Sequence, residues 1–242
     1  MSGFKERMLE SAEKKRSRVV LALDFSGPFG TRLRRAAQVL ETVSERVSAV
    51  KVNHHLLLPF GLEGLSGIIS SCKGAGLPLI ADLKLNDIES TNLNVADSLL
   101  SYGFDAVIAN PFVGREEGLG LVVEKMHARG GGVLLLVYMS HGGAKEGYGL
   151  RTEGGEPLYR VFARRAREWG ADGVIVSAKS PSIIEETRKA VGKQCLIFSP
   201  GIGAQGGAAM RARGADFTIV GRSITEAADP AEALRKLNLT LT

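Results

Sequence analysis

Two acids and a lysine stand close together directly after an apolar run. Residues 77–80 (LPLI) predict a strand that enters a core, and the segment 81–91 that continues it reads ADLKLNDIEST. Residues i and i+2 of a strand share a face, so we expect Asp82 and Lys84 to point into one space and Asp87 to lie on the following loop. Carboxylates and ammoniums held together in a partly dry cavity are typical of a catalytic or binding site.

Two further charged residues are predicted at neighbouring strand ends. Asp24 follows the apolar run 19–23, and Lys51 lies in the run 49–52. A single Asp–Lys pair at a strand end is commonly a structural ion pair, and Asp24 could instead cap the helix after it. Two acids and two ammoniums converging from three strands are costly to bury, however, so the whole set favours a functional site.

Glycines after the seventh predicted strand indicate phosphate binding. The segment 199–207, SPGIGAQGG, contains the spacing G-x-G-x-x-G, which also occurs in dinucleotide-binding folds. That interpretation requires the motif at the first strand–helix turn and a downstream acid at a strand end, whereas Asp216 begins a strand. Loops after strands 7 and 8 of a (β/α)8 barrel instead bind phosphate through backbone N–H groups, and Arg222 would add a bidentate cation. We therefore expect a phosphate monoester as substrate.

The elements that must position these residues alternate strictly between strand and helix. Helical apolar spacing recurs between the strands, as at 33–43, 62–71, 95–102 and 158–169. Such alternation predicts a parallel sheet with helices outside it, and eight repeats favour a single-domain (β/α)8 TIM barrel of the α/β class over residues 1–242. The active site of such a barrel lies at the C-terminal ends of its strands. The predicted strands are 19–23, 49–52, 79–83, 106–109, 133–137, 173–176, 196–198 and 217–220.

One long stretch is predicted to be irregular. Residues 140–157 follow the fifth predicted strand, are rich in glycine and begin with Ser140 and His141. A loop of this length inside a compact domain is commonly functional and often acts as a lid.

Composition limits the class of protein. The chain has 242 residues, 44% hydrophobic and 24% charged, as is typical of a globular domain. Its two cysteines form no C-x-x-C, which indicates a reducing compartment. No apolar stretch suits a signal peptide or a membrane span, so we expect a cytoplasmic protein with no membrane partner.

The charge of the chain is partly local. The net charge is +5, and residues 1–18 carry six Lys or Arg against three Glu. This segment predicts a basic N-terminal helical extension with a solvated face rather than a nucleic-acid arm. The remainder is close to neutral, so we expect no nucleic-acid partner. His54 and His55 are adjacent and point to different sides, and no histidine–carboxylate spacing resembles a zinc site, so we expect no metal.

Six motifs occur in an order that resembles a known family. They are LALD (21–24), VKVN (50–53), ADLKLNDIEST (81–91), MSHGGA (139–144), SPGIGAQGG (199–207) and IVGRSI (219–224). From about residue 18 to the C-terminus the chain resembles the orotidine 5′-phosphate decarboxylase family, most closely its short microbial and archaeal form. D-x-K-x-x-D-I alone is shared with a wider suprafamily, but its combination with Ser-His after strand 5 and P-G-x-G-A-Q-G-G after strand 7 is specific.

The resemblance implies a carboxy-lyase that converts orotidine 5′-monophosphate to UMP and CO2 in de novo pyrimidine biosynthesis, with no cofactor. It implies that Lys84 stabilises the carbanion at C6 of the pyrimidine and then protonates it. Asp82 would lie beside the departing carboxylate, while Lys51 and Asp24 would hold the ribose and complete the charge network.

The resemblance also implies a homodimer with active sites at its interface, in which Asp87 and Thr91 serve the partner's site. Ser140 would contact the amide edge of the pyrimidine, and Gln205 and Arg222 would close over the phosphate. The other substrate-binding residues expected from the matching motifs are Ile88, Pro200, Gly201, Ile202, Gly203 and Gly221.

Two alternatives stay open at this point. A magnesium-using 3-keto-gulonate-6-phosphate decarboxylase or hexulose-phosphate synthase shares D-x-K-x-x-D but replaces the pyrimidine-contacting and G-A-Q-G-G segments, so Ser140 and Gln205 favour the first interpretation. A non-catalytic module that binds polyanions is indicated only by the isoelectric point near 9.3.

Overall fold

A closed barrel of eight parallel strands forms the centre of the molecule. A computed structural model describes residues 2–201 and 214–241. The strands pair in chain order, and β1 also pairs with β8, which closes the barrel. This confirms the predicted (β/α)8 fold. The strands are β1 (Val19–Ala22), β2 (Ala49–Asn53), β3 (Leu79–Leu85), β4 (Ala106–Ala109), β5 (Gly132–Tyr138), β6 (Gly173–Val176), β7 (Leu196–Pro200) and β8 (Phe217–Val220).

Helices surround the barrel and cover one of its ends. Three shorter turns are Ser44–Arg46, Pro111–Val113 and Arg115–Leu119. Within the described ranges, none of the helices is both long and apolar enough to cross a membrane. The helices are α1 (Phe4–Lys15), α2 (Phe29–Val43), α3 (His54–Gly64), α4 (Ser66–Gly74), α5 (Glu89–Tyr102), α6 (Gly120–Ala128), α7 (Ala144–Gly147), α8 (Leu158–Glu168), α9 (Pro181–Val191), α10 (Arg222–Thr225) and α11 (Pro230–Leu241).

Two predicted segments differ from the structure. The helix predicted over 62–71 is divided between α3 and α4, because the chain leaves helical geometry at Leu65, which has a φ of −89° and a ψ of 1°. The segment 140–157 is more ordered than predicted: it contains α7 and an antiparallel bridge between Arg151 and Pro157.

Strand alternation divides the apolar residues between two layers. On β1, Val20 and Ala22 point into the barrel, whereas Val19 and Leu21 pack against the surrounding helices. The same period of two holds along the other strands, as expected for parallel strands buried on both faces. The interior layer includes Ile80, Ile108, Leu134, Leu136, Ile175, Leu196, Phe198, Phe217 and Ile219.

Helix α1 closes the N-terminal end of the barrel. Its apolar side chains Phe4 and Met8 are fully buried and belong to the interior layer. The Phe4 ring lies directly over Gly132 at the start of β5, where a Cβ atom would come within 2.5 Å of the ring. The segment predicted as a basic extension is therefore part of the barrel core on one side, while most of its charged residues lie on the exposed side and Lys15 is buried.

Three aspartates link neighbouring strands at the same end of the barrel. Asp105, Asp172 and Asp216 each precede an even-numbered strand and follow the recurring turns Gly-Phe-Asp and Gly-Ala-Asp. Their carboxylates accept hydrogen bonds from backbone N–H groups at the beginning of β3, β5 and β7, at 2.8, 2.8 and 2.7 Å. Each carboxylate also pairs with a basic side chain: Asp105 with Arg7, Asp172 with His127 and Asp216 with Arg188.

Candidate active site

A cavity of about 790 Å³ opens at the C-terminal end of the barrel. This is the end at which (β/α)8 barrels carry their active sites. Of the residues singled out in the sequence, those that line it are Asp24, Lys51, Asp82, Lys84, Ser140, Pro200, Gly201, Gly221 and Arg222.

Acids and ammoniums alternate along one side of this cavity. The Lys51 ammonium donates to Asp82 Oδ2 at 2.7 Å and to Asp24 Oδ1 at 3.2 Å. Lys84 Nζ donates to the other oxygen of Asp82 at 2.6 Å. Asn53 Nδ2 donates to Asp24 Oδ1 at 2.7 Å and ends the chain of contacts. One carboxylate is thus shared by two lysines, and one lysine by two carboxylates.

Strand period explains why these residues meet. Ala22 of β1 belongs to the interior layer and Asp24 follows it by two positions, while on β2 Ala49 is interior and Lys51 follows by two. On β1 and β2 the inward residues are therefore apolar in the interior of the barrel and charged at its C-terminal mouth. The hydrophobic strands β1 and β2 in this way place a charged residue only toward the C-terminal end.

Lys84 departs from regular strand geometry. Its φ is 50°, and the pairing of β3 with β4 shifts register between Ala81 and Leu85. A left-handed conformation costs a residue with a Cβ atom about 1–2 kcal/mol. The simple alternation expected for Asp82 and Lys84 is thus interrupted by a bulge, a device that redirects side chains beside active sites. The bulge brings the Lys84 ammonium against Asp82.

The network keeps its charges despite burial. Burial alone would lower the pKa of the Lys51 ammonium, but Asp82 and Asp24 overcome this effect and raise its pKa above the usual value. Burial would likewise raise the pKa of the Asp82 carboxyl, yet Lys51 and Lys84 hold that pKa below its ordinary value. The side chains of Lys51 and Asp82 are only 5% and 11% exposed, so water screens this pair weakly.

Asn53 and Lys179 are among the cavity residues that were missed in the sequence. Asn53 follows Lys51 by two positions on β2, so strand period was a signal that could have identified it. Lys179 follows β6 and also lines the cavity, but the sequence around it carries no motif beyond a lysine after a strand.

Asp87, Ile88 and Thr91 lie away from the cavity of their own chain. They stand in the turn after β3 and in the first turn of α5, and all three are exposed. The Asp87 carboxylate accepts from the N–H of Ile88 at 2.7 Å, and the Asp87 carbonyl accepts from Nδ2 of the buried Asn92 at 2.5 Å. These contacts hold the turn in place, and Asp87 is exposed without lining the cavity.

Three of the predicted substrate-binding residues, Ile202, Gly203 and Gln205, fall outside the described residues. Across 2–201 and 214–241, no group of three or more His, Cys, Asp or Glu side chains is arranged to hold a metal ion. The expectation that no metal takes part stays a prediction.

Comparison with known proteins identifies the family. The model of the orotidine 5′-phosphate decarboxylase / HUMPS family matches residues 17–237. The chain belongs to this family. The orotidine 5′-phosphate decarboxylase of Methanosarcina barkeri is 38% identical over 226 residues, which cover 93% of this chain and 94% of that protein.

Solved structures agree with this assignment. Orotidine 5′-phosphate decarboxylase from Pyrococcus horikoshii superposes with a TM-score of 0.75 and 35% identity, covering 92% of this chain and 98% of that one. The enzyme from Methanocaldococcus jannaschii, complexed with the inhibitor BMP, gives a TM-score of 0.78 and 28% identity, over 93% and 99% of the two chains. The barrel described above is therefore the fold of this family.

Proposed function

We propose that this protein is an orotidine 5′-phosphate decarboxylase, which converts orotidine 5′-monophosphate to UMP and CO2 in de novo pyrimidine biosynthesis without a cofactor. The observation that carries the proposal is the alternating network of Asp24, Lys51, Asp82 and Lys84 at the mouth of the barrel. The family membership and the relatives that bear this name support it.

The network suits a reaction in which negative charge moves onto carbon. When the bond between C6 and the carboxylate breaks, CO2 leaves and the electron pair remains on C6 of the pyrimidine. A fixed ammonium beside C6 stabilises that pair without having to reorganise, which is the main source of electrostatic catalysis. Lys84 is the ammonium at the edge of the network, and its side chain is 34% exposed to the cavity. In our proposal it then donates a proton to C6, which gives UMP.

Asp82 has two roles in this scheme. It holds Lys84 at 2.6 Å, and it places a negative charge next to the substrate carboxylate that must depart. Lys51 keeps Asp82 ionised and, with Asp24 and Asn53, offers donors and acceptors for the ribose hydroxyls. The phosphate would bind on the opposite side of the mouth, where Arg222 and Gly201 line the cavity. Ser140 would contact the amide edge of the pyrimidine.

We further propose that the working enzyme is a homodimer that shares its sites. Asp87, Ile88 and Thr91 are exposed on a turn that Asn92 anchors, and they do not face their own cavity. Ile88 is apolar yet 64% exposed, as expected of a residue that a partner covers. In this proposal Asp87 completes the charge network of the partner subunit.

The proposed activity is tested directly by incubating the protein with orotidine 5′-monophosphate and following the loss of the substrate's absorbance. We expect turnover that EDTA does not reduce, and we expect Lys84→Ala to keep the fold but lose kcat by orders of magnitude. Alanine adds no backbone strain here, because Lys84 already has a positive φ with a Cβ atom. Lys14→Ala, an exposed change on α1, is the matched control.

The same assay separates the alternatives. Strict dependence on magnesium would favour a sugar-phosphate enzyme of the same family instead. A polyanion-binding module would keep its function in Lys84→Ala and would lose binding steeply as salt rises.

Subunit complementation tests the shared site. Lys84→Ala and Asp87→Asn are each expected to be inactive as purified. In a mixed dimer, one site would combine Lys84 from one subunit with Asp87 from the other, so an equal mixture should regain about a quarter of the wild-type activity. Mixtures that stay inactive although the subunits exchange would show that Asp87 does not serve a partner.

A further inference from the structure

The charges around the cavity mouth are unevenly distributed. The side formed by β1, β2 and β3 carries two carboxylates and two ammoniums in mutual contact. The side formed by β6, β7 and β8 contributes Lys179 and Arg222, and none of its described lining residues is acidic. One side is therefore balanced, and the other holds an excess of positive charge.

Lys179 is placed at this mouth by the ends of two strands. It follows β6, and its N–H donates to Ser177 Oγ at 3.1 Å. The N–H of Ala178 donates to the Pro200 carbonyl at 2.9 Å, which ties the turn after β6 to the end of β7. The base of the Lys179 side chain is thus fixed by backbone contacts rather than by its charge.

The stem of Lys179 lies against Gly201, the first glycine of the segment 199–207. A Cβ atom at Gly201 would stand 3.7 Å from Cγ and 3.8 Å from Cε of Lys179, and 3.3 Å from Cβ of Ser140. The lysine side chain therefore runs past Gly201, which has a φ of 98°. Among residues 2–201 and 214–241, its ammonium has no carboxylate or hydrogen-bond acceptor.

We propose that Lys179 is a phosphate-binding residue, which with Arg222 holds the dianionic phosphate monoester of the substrate. The inference rests on the proposed function, because that function supplies the phosphate. A guanidinium donates two parallel hydrogen bonds to two phosphate oxygens. An ammonium is a compact charge that can contact the third oxygen. Two cations on the side without carboxylates match the charge of the ligand.

Comparing substrates with and without the phosphate locates the contact. The wild type and Lys179→Ala are assayed with orotidine 5′-monophosphate and with orotidine, its nucleoside. We expect Lys179→Ala to lower kcat/KM for the phosphorylated substrate roughly 10- to 100-fold, chiefly through KM. We expect the value for orotidine to stay unchanged, because that substrate has no phosphate to bind.

Two variants complete the design. Lys179→Arg keeps the charge and is expected to recover most of the loss. Lys193→Ala removes an exposed lysine before β7, at the opposite end of the barrel, and is expected to behave as the wild type. Equal losses with both substrates would instead mean that Lys179 contacts the pyrimidine beside Ser140 or only supports the loop, and that result would overturn the proposal.

Calorimetric titration with inorganic phosphate separates this inference from the proposed function. The affinity for phosphate is expected to fall in Lys179→Ala and to persist in Lys179→Arg, whether or not orotidine 5′-monophosphate is turned over. A wild type that binds phosphate but leaves orotidine 5′-monophosphate intact would contradict the proposed function alone. Identical phosphate affinities in the wild type and Lys179→Ala would overturn the role of Lys179.

Discussion

Lys84 Nζ lies 2.6 Å from Asp82 Oδ1, and the second oxygen of the same carboxylate accepts from Lys51 at 2.7 Å. Asp82 is therefore held between two ammoniums in a site where it is nearly buried. The contact with Lys84 depends on a bulge in β3, since Lys84 has a positive φ and the register shifts around it. Backbone strain at Lys84 is thus offset by a charged contact that the proposed chemistry requires.

Replacing Asp82 should disturb both activity and stability. In Asp82→Asn the carboxylate that orients Lys84 and repels the carboxylate of the substrate is lost, and we expect kcat to fall about 100- to 1,000-fold. The buried Lys51 would keep only Asp24, at 3.2 Å. Because breaking a buried ion pair costs about 3–5 kcal/mol and one partner remains, we expect a loss near the lower end of that range in urea unfolding.

A surface aspartate provides the control for this variant. Asp97 pairs with Lys125 and Arg129 while remaining 49% exposed. Since exposed pairs contribute about 0–1 kcal/mol, Asp97→Asn should leave both the free energy of unfolding and kcat nearly unchanged. Equal effects of the two substitutions would contradict the idea that Asp82 belongs to a buried functional network.

The contribution of Asp82 to the free energy of unfolding should be lost as the pH falls. Burial of the Asp82 carboxyl alone would raise its pKa. Lys51 and Lys84 overcome this effect, so the pKa in the folded protein lies below the usual 3.8. A lowered pKa contributes stability that is present above the unfolded-state value and is lost as the pH falls through the folded-state value. The free energy of unfolding should therefore fall more steeply with acid in the wild type than in Asp82→Asn. The same dependence of the free energy of unfolding on pH in both proteins would refute the lowered pKa of Asp82.

The barrel could be predicted from the sequence because two alternating patterns coincide, one between residues within each strand and one between strands and helices along the chain. Inward positions such as Val20, Ala22 and Asp24 repeat every second residue, and strands alternate with helices along the chain. These patterns are local, so they can be recognised without knowing the fold. The same logic places Lys51 and Asp82 at the mouth, and it would have identified Asn53 as well.

Other features depend on contacts between distant segments and left no local signal. The bulge at Lys84 is a property of the pairing between β3 and β4, and the alternation of residues alone predicts a regular strand. The burial of α1 requires the open end of a barrel and the absence of a side chain at Gly132. Asp87 is exposed and does not line the cavity of its own chain, which no local pattern around it indicates.

The N-terminal helix should be essential to stability even though its sequence resembles a charged extension. Phe4 is fully buried in the interior layer, whereas Leu9 of the same helix is 39% exposed. Truncating a buried phenylalanine to alanine costs about 3–5 kcal/mol, through lost transfer energy and the cavity left behind. We expect Phe4→Ala to lower the free energy of unfolding by this amount and Leu9→Ala to have a much smaller effect. Similar small losses would mean that α1 is not part of the cooperative core.

A second pH effect, opposite in sign, should arise at the N-terminal end of the barrel. His127 Nε2 lies 2.9 Å from Asp172 Oδ2, a carboxylate that also accepts from the N–H of Val133 at 2.8 Å. The hydrogen bond to Asp172 raises the pKa of His127 above 6.5, although burial opposes it. A raised pKa contributes stability that is present below the unfolded-state value and is lost as the pH rises through the folded-state value.

His127→Gln isolates this contribution. The wild type should exceed the variant in free energy of unfolding near pH 5.5 by at most about 1 kcal/mol, because the ring is 42% exposed and solvent weakens the pair. The difference should shrink as the pH rises past the folded-state pKa, whereas Asp172 keeps its backbone contact in both proteins. A difference that is constant with pH, or that grows toward alkaline pH, would show that the ion pair with Asp172 does not stabilise the barrel.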